Sequence, residues 1–211
     1  MSTQERARKT RRLLIDIAQR RQRPGSGSSV AFLRGRSARL QWPDLSKVLD
    51  PLPWAVAGAV ATRAYMPERV TLDLDVVVLA KDASEIGSRL SEAGYKLDAP
   101  RAVGGSRWLS PQGTQVDIIE GREPWWPEAL AQATNNLDLQ GLPVLPLPYL
   151  VLMKLQASRV QDVADVTRML GQVSDEALEA VRAVVARHGP ELAEDLESLI
   201  ALGRLELQEP S

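Results

Sequence analysis

Two aspartates separated by one residue stand in the most strand-like segment of the chain. Asp73 and Asp75 flank Leu74 in VTLDLDVVVL, where β-branched and apolar residues predominate. Because residues two apart on a strand share a face, both carboxylates are expected to project together, while Leu72, Leu74 and Val76 face the core. Two such negative charges repel each other unless a cation lies between them. Hard oxygen ligands of this kind suit Mg²⁺ or Mn²⁺, which bind carboxylates together with substrate phosphates.

A third acid stands in another apolar segment farther along the chain. Asp117 lies in TQVDIIE, and it reaches the same ions if its strand neighbours the strand of Asp73 and Asp75. Three acids on adjacent strands are typical of a two-metal site for in-line phosphoryl displacement. The alternative for Asp73 and Asp75 is a strand edge that carries two solvated acids, since short motifs often arise by chance.

A glycine precedes these strands at a turn from strand to helix. Residues 54–57 predict a short strand, Gly58 ends it, and a helix is expected over 59–66. Glycine allows a phosphate to approach the backbone closely, and the start of a helix offers free N–H groups. A tight turn explains the same glycine without any ligand.

The elements that must position these residues predict an α+β fold. Asp82 and Glu85 form a capping-box pattern that opens a helix over 83–93. Residues 105–109 and 114–120 are expected to pair as a hairpin across SPQGT. The remaining pattern is helical, over 148–158, 161–171, 175–188 and 190–203. We therefore expect a mixed sheet with flanking helices, followed by a helical C-terminal part.

The first residues predict a basic helix. Its range is 4–22, with arginines on most of its surface and one apolar stripe formed by Leu13, Leu14, Ile17 and Ala18. This helix is expected to bind nucleic-acid phosphates, to dock on the acidic C-terminal helices or to bind a partner protein. The linker PGSGSS follows this helix, so the sequence predicts three regions. They are the basic helix with its linker over 1–29, an α/β core over 30–146, and a helical part over 147–211.

Composition narrows the class of protein. The 211 residues are 44% hydrophobic and 25% charged, which is ordinary for a soluble globular protein. The chain has no cysteine, which excludes disulfides, thiolate zinc sites and cysteine nucleophiles. The N-terminus lacks the apolar stretch of a signal peptide, and no apolar run is long enough to span a bilayer. We therefore expect a cytoplasmic protein with no membrane contact.

Four other conspicuous residues have ordinary explanations. Trp125 and Trp126 stand between prolines in EPWWPE, and we expect them to cover the edge of a core rather than to stack on a base. Trp108 is expected to face inward from its strand. His188 is the only histidine and is expected to complement the dipole at a helix end.

Two segments of the chain resemble the polymerase-β-type nucleotidyltransferases. AGAVATRAYMPERVTLDLDVVV, residues 57–78, is similar to their signature of an apolar strand, a small-residue turn, a helix and a D-x-D strand. The pattern Arg69-x-Thr71-x-Asp73-x-Asp75 resembles the version found in stand-alone bacterial members, including the AbiEii-like toxin group. A second match spans residues 147–170, where Lys154, Arg159, Asp162 and Asp165 stand at the family's positions. In all, the resemblance covers about residues 54–171.

The resemblance implies roles for the acids. Asp73 and Asp75 would hold both Mg²⁺ or Mn²⁺ ions, and Asp117 would hold the catalytic ion and help to deprotonate the acceptor hydroxyl. The ions would stabilise the attacking and leaving oxygens.

The resemblance also implies a nucleotide-binding set. Gly58 and the N–H of Ala59 would hold the β- and γ-phosphates, and Lys154 would add positive charge near them. Arg69 contacts phosphate or pairs with a strand acid, and Lys154 is equally explained as a helix lysine with a solvated tip. Asp162 joins the set, and it is equally explained as a structural partner of a nearby arginine.

The implied activity is transfer of an NMP from an NTP to an acceptor with release of pyrophosphate. The acceptor is expected to be RNA such as a tRNA, a protein or a small molecule, with an antitoxin partner if the chain belongs to a toxin–antitoxin or phage-defence pair. The family usually has a second Gly or Ser where this chain has Ala59. This departure favours the alternative, a non-catalytic module that binds a nucleotide or a partner protein.

Overall fold

The computed structural model describes residues 3–24, 41–66, 71–100 and 104–208, so Arg69 lies outside the described residues. These residues form two compact units. The sheet unit comprises 41–64, 71–100 and 104–146, and the helical unit comprises 3–24, 65–66 and 147–208. The N-terminal helix therefore belongs with the C-terminal helices.

The sheet unit is built on a mixed sheet, as the sequence predicts. Its described strands are β1 (Trp54–Val56), β2 (Asp73–Leu79), β3 (Lys96–Pro100), β4 (Ser106–Leu109) and β5 (Gln115–Gly121). The order across the sheet is β1-β2-β5-β4-β3. Strands β2 and β5 run parallel, and the other three pairs are antiparallel. Strands β2 and β5 are therefore neighbours, which is the condition for Asp117 to lie near Asp73 and Asp75.

Four short helices of the sheet unit are described. They are α2 (Ser46–Leu49), α3 (Gly58–Ala61), α4 (Ala83–Glu92) and α5 (Trp126–Ala133), with 3₁₀ turns at Thr62–Ala64 and Ala80–Asp82. The predicted capping box is wrong, because the Asp82 side chain makes no capping hydrogen bond at α4. Glu85 instead accepts a 2.6 Å hydrogen bond from Arg89, one turn later.

The two faces of β2 differ as its alternation predicts. Leu74 and Val76 are fully buried, while Asp73 and Asp75 on the opposite face are half-buried. The expectation that Leu72 faces the core is wrong, since its exposed fraction is 84%. Leu72 precedes the first residue of β2, so the alternation of the strand does not extend to it.

The sequence analysis missed strand β3 for a physical reason. β3 lies at the edge of the sheet, and four of its five residues are exposed. It ends at Pro100, a residue that strands tolerate only where no ladder N–H is needed. An edge strand without a buried face carries no hydrophobic alternation by which it can be recognised.

The helical unit follows the predicted pattern closely. Its described helices are α1 (Thr3–Arg21), α6 (Leu147–Ala157), α7 (Val160–Gln172), α8 (Asp175–His188) and α9 (Ala193–Leu207), with a 3₁₀ turn at Pro190–Leu192 before α9. Helices α7 and α9 cross at Gly171 and Gly203. A Cβ added at Gly203 would lie 2.8 Å from the backbone nitrogen of Gly171, so side chains larger than hydrogen would force the helices apart.

The buried face of α1 differs from the predicted apolar stripe. Leu13 and Ile17 are 59% and 42% exposed, whereas Arg11 and Ile15 are buried. The Arg11 guanidinium donates to Asp195 of α9 at 2.6 Å and to the Leu155 carbonyl of α6 at 2.9 Å. The buried face of α1 thus combines the apolar Ile15 with the ion-paired Arg11, and α1 docks on the C-terminal helices.

The conspicuous tryptophans belong to the core. Trp125 and Trp126 are 3% and 5% exposed, and their ring centroids lie 3.9 Å apart. Trp108 is 5% exposed and donates from Nε1 to Ser106 Oγ at 2.7 Å. These positions agree with the core roles that the sequence predicts. Within the described residues, no helix combines the length and the apolarity that crossing a bilayer requires.

Candidate active site: the acid face of the sheet

Three carboxylates share one face of the sheet, which we call the acid face; it carries Asp73, Asp75 and Asp117. Asp75 and Asp117 are register partners across the parallel pair β2 and β5, and Asp73 is the partner of Gln115. Register partners and residues two apart on a strand lie on the same side of a sheet. The structure therefore places the three acids that the sequence analysis selected on one face of the sheet.

The carboxylates of Asp73 and Asp117 accept hydrogen bonds from neighbouring side chains. Thr71 Oγ1 donates to Asp73 Oδ1 at 2.5 Å. Arg107 Nε donates to Asp117 Oδ1 at 3.2 Å, and Gln115 Nε2 lies 3.4 Å from the same oxygen. The Asp117 side chain is only 4% exposed, whereas that of Arg107 is 42% exposed. A buried carboxylate thus has a half-exposed guanidinium as its counterion.

Gly58 supports the acid face by being small. Its φ is +60°, and a Cβ added there would lie 2.6 Å from Cγ and 2.8 Å from Cβ of Asp75. The next strand is held close, since Ala57 N–H donates to the Asp75 carbonyl at 2.8 Å. Glycine is therefore required for the left-handed backbone and for the room that the Asp75 side chain occupies.

We expect Gly58→Ala to destabilise the protein and displace the Asp75 carboxylate. The left-handed backbone alone costs alanine about 1–2 kcal/mol, and the overlap with Asp75 adds to that cost. Gly113→Ala is the matched control, because Gly113 has φ +86° but nothing within 4 Å of an added Cβ. Urea unfolding of both variants measures the difference, and equal losses of stability would contradict the contact with Asp75.

The acid face offers donors of the kind that a divalent cation prefers. Carboxylate oxygens are the ligands that Mg²⁺ and Mn²⁺ prefer, and Asp75 and Asp117 are directly in register. Among the described residues, no group of three His, Cys, Asp or Glu side chains is gathered closely enough to hold a metal ion. Arg107 Nε lies 3.2 Å from the Asp117 carboxylate.

Lys154 and Asp162 lie in the helical unit and contact each other. Lys154 Nζ lies 3.2 Å from Asp162 Oδ1 and 2.9 Å from Asp165 Oδ2, and its side chain is 1% exposed. Arg159 Nε donates to the other oxygen of Asp162 at 2.6 Å. The Lys154 tip is thus buried and ion-paired rather than solvated. Its role toward a nucleotide, like that of Asp162, stays a prediction.

The two backbone candidates lie at the start of α3. Ala59 is 5% exposed, and its carbonyl accepts from Thr62 Oγ1 at 2.6 Å. Helix α3 spans only four residues, so it offers a small dipole. Phosphate binding by Gly58 and Ala59 stays a prediction.

The sequence analysis missed Arg107, although the hairpin that it predicted contains the signal. In a hairpin across SPQGT, Ser110 faces Thr114, and counting back along both strands pairs Arg107 with Asp117. The structure has this register, and Ser110 N–H donates to the Thr114 carbonyl at 2.8 Å. Counting the ladder would therefore have identified the counterion of Asp117.

No protein-family model and no sequence of a curated protein matches this chain. Similar solved structures include a Thermotoga maritima protein described as a nucleotidyltransferase (20% identity, 61% of this chain and 91% of that one, TM-score 0.41). The antibiotic-resistance factor ANT(2'')-Ia is 14% identical over 72% of this chain and 82% of that one, with TM-score 0.39. The Thermotoga maritima CCA-adding enzyme is 15% identical over 87% of this chain and 52% of that one, with TM-score 0.36.

Proposed function

We propose that this protein is a metal-dependent nucleotidyltransferase that transfers an NMP from an NTP to an acceptor and releases pyrophosphate. The observation that supports the proposal most is the register of the acid face. Asp75 and Asp117 are direct partners on neighbouring strands, and Asp73 stands two residues before Asp75 on the same side. Acids on adjacent strands are typical of sites for two-metal phosphoryl transfer.

Each acid has a defined task in this proposal. Asp73 and Asp75 would hold both divalent ions, and Asp117 would hold one of them and help to deprotonate the acceptor hydroxyl. The bound ions supply positive charge to the attacking and leaving oxygens. Thr71 orients Asp73 through its 2.5 Å hydrogen bond. Gly58 keeps the space beside Asp75 free for its carboxylate.

The nucleotide is held in this proposal by residues named from the sequence. Gly58 and Ala59 contact phosphate through the backbone, and Arg69 adds a positive charge. The acceptor is an RNA such as a tRNA, a protein or a small molecule. The motif around Arg69 and Asp75 supports membership of the AbiEii-like toxin group and an antitoxin partner.

The test is to incubate the purified full chain with each α-labelled NTP, Mg²⁺ or Mn²⁺, and total cell extract. Label is then followed separately into RNA, protein and small molecules. We expect label in one fraction and none after EDTA removes the divalent ions. Label that persists in EDTA would contradict the metal dependence, and no transfer of any nucleotide would contradict the enzyme.

The second candidate is a non-catalytic module of the same fold, which binds a nucleotide or a partner protein. Two observations favour it: Arg107 already neutralises Asp117, and Ala59 replaces the usual second Gly or Ser. Calorimetry separates the two candidates. A module binds NTP or its partner with the same affinity after Asp73→Asn, whereas an enzyme loses its metal-dependent NTP affinity.

A further inference from the structure

Arg107 occupies a position that the roles of the three acids leave unexplained. Asp75, Asp117 and Arg107 are register partners on the consecutive strands β2, β5 and β4, so the guanidinium stands in the same row as two of the acids. The partner of Arg107 on the edge strand β3 is Ala99, whose side chain is a single methyl group.

The electrostatics of the row require a cation beside Asp117. A carboxylate that is 4% exposed loses most of its hydration, and its charge is tolerated only with a counterion or a metal. Arg107 supplies that charge through Nε at 3.2 Å. Its side chain remains 42% exposed, so moving the guanidinium away from Asp117 leaves it in water rather than in the core.

We propose that Arg107 is an exchangeable counterion: it neutralises Asp117 until a divalent cation replaces it, and it thereby sets the metal affinity of the acid face. This inference rests on the proposed metal-dependent function and adds a positioning residue to it. One of the three ligands is held by an arginine from the next strand.

The inference predicts that removing a side chain strengthens binding. Without Arg107, a divalent ion no longer competes with a guanidinium for Asp117. We expect Arg107→Gln to bind Mn²⁺ about three- to tenfold more tightly than the wild type. This is the size of effect expected when one ion pair that is partly screened by solvent no longer competes for the carboxylate. Damage to the fold or to the site would weaken binding, so the sign of the change separates the two explanations.

The measurement is Mn²⁺ binding to the full-length protein without nucleotide, by the EPR signal of the free ion. Arg122→Gln is the matched control, because Arg122 is 68% exposed and pairs with Glu120, which lies on the other face of β5. It removes the same charge nearby and should leave the affinity unchanged. Arg107→Lys keeps the charge and should stay within about twofold of the wild type.

The Asp117→Asn background shows through which residue Arg107 acts. We expect Asp117→Asn to weaken Mn²⁺ binding and to abolish the gain from Arg107→Gln. Equal Mn²⁺ affinities of the wild type and a folded Arg107→Gln, or an equal gain in Arg122→Gln, would overturn this inference alone. If no protein binds Mn²⁺ with or without NTP, the metal-dependent function fails as well, so the two failures are distinguishable.

Discussion

Replacing Asp75 with asparagine is expected to lower the rate of NMP transfer by about 10³-fold or more. Metal ions stabilise transition-state charge by several kcal/mol, and each 1.4 kcal/mol is a factor of ten in rate. Asp75 lies in register with Asp117, so its loss removes a charge from the centre of the acid face. Asparagine has the same shape and fits beside Gly58, so the fold is expected to persist.

The matched control for Asp75→Asn is Glu120→Gln. Glu120 lies three residues after Asp117 on β5 and therefore points to the opposite face, where it pairs with Arg122. It also loses one carboxylate charge, and we expect its transfer rate to stay near that of the wild type. Initial rates under saturating NTP and Mg²⁺ measure both variants. Full activity of a folded Asp75→Asn protein would remove Asp75 from the catalytic set.

Replacing Lys154 with methionine is expected to reduce the free energy of unfolding by about 3–5 kcal/mol, the usual cost of removing one partner of a buried ion pair. The ammonium group lies within 3.2 Å of two aspartates whose side chains are 3% and 0% exposed. Methionine fills a similar volume but leaves Asp165 and Asp162 without this cation. Arg159 still pairs with Asp162, although the Arg159 side chain is 65% exposed. The shift of the urea midpoint measures the loss.

Two further proteins test the explanation of that loss. Lys96→Met changes an exposed lysine on β3 and should leave stability nearly unchanged. Combining Lys154→Met with Asp162→Asn and Asp165→Asn removes the uncompensated charges and should recover much of the stability. A Lys154→Met protein of wild-type stability that binds NTP weakly would contradict the structural role and support the predicted contact with triphosphate.

Local pattern determined much of the fold. Alternation identified β2 and its two faces, and helical periodicity identified α6 to α9 to within a few residues. The hairpin of β4 and β5 was also predictable, because the loop that joins antiparallel neighbours fixes their register. The pairing of Arg107 with Asp117 follows from that loop, so this part of the acid face was available from the sequence.

Where the hydrophobic periodicity of a segment was weak or ambiguous, contacts between residues far apart in the sequence decided the structure. Strand β3 has no buried face to mark it. Helix α1 carries an apolar stripe, yet the face that it buries includes Arg11, which pairs with Asp195 at a separation of 184 residues. Periodicity shows which residues are apolar, but it contains no information about a distant carboxylate.

The sequence by itself determined the identity of the acids and the side of the strand to which Asp73 and Asp75 project. Only the tertiary structure decided that Asp117 stands beside Asp75. Strands β2 and β5 are parallel, so no tight turn connects them, and their pairing depends on how the elements between them pack. The same packing shows why residue 58 is glycine. Its missing Cβ is the space that the Asp75 carboxylate occupies, and that neighbour is defined only once the strands have paired.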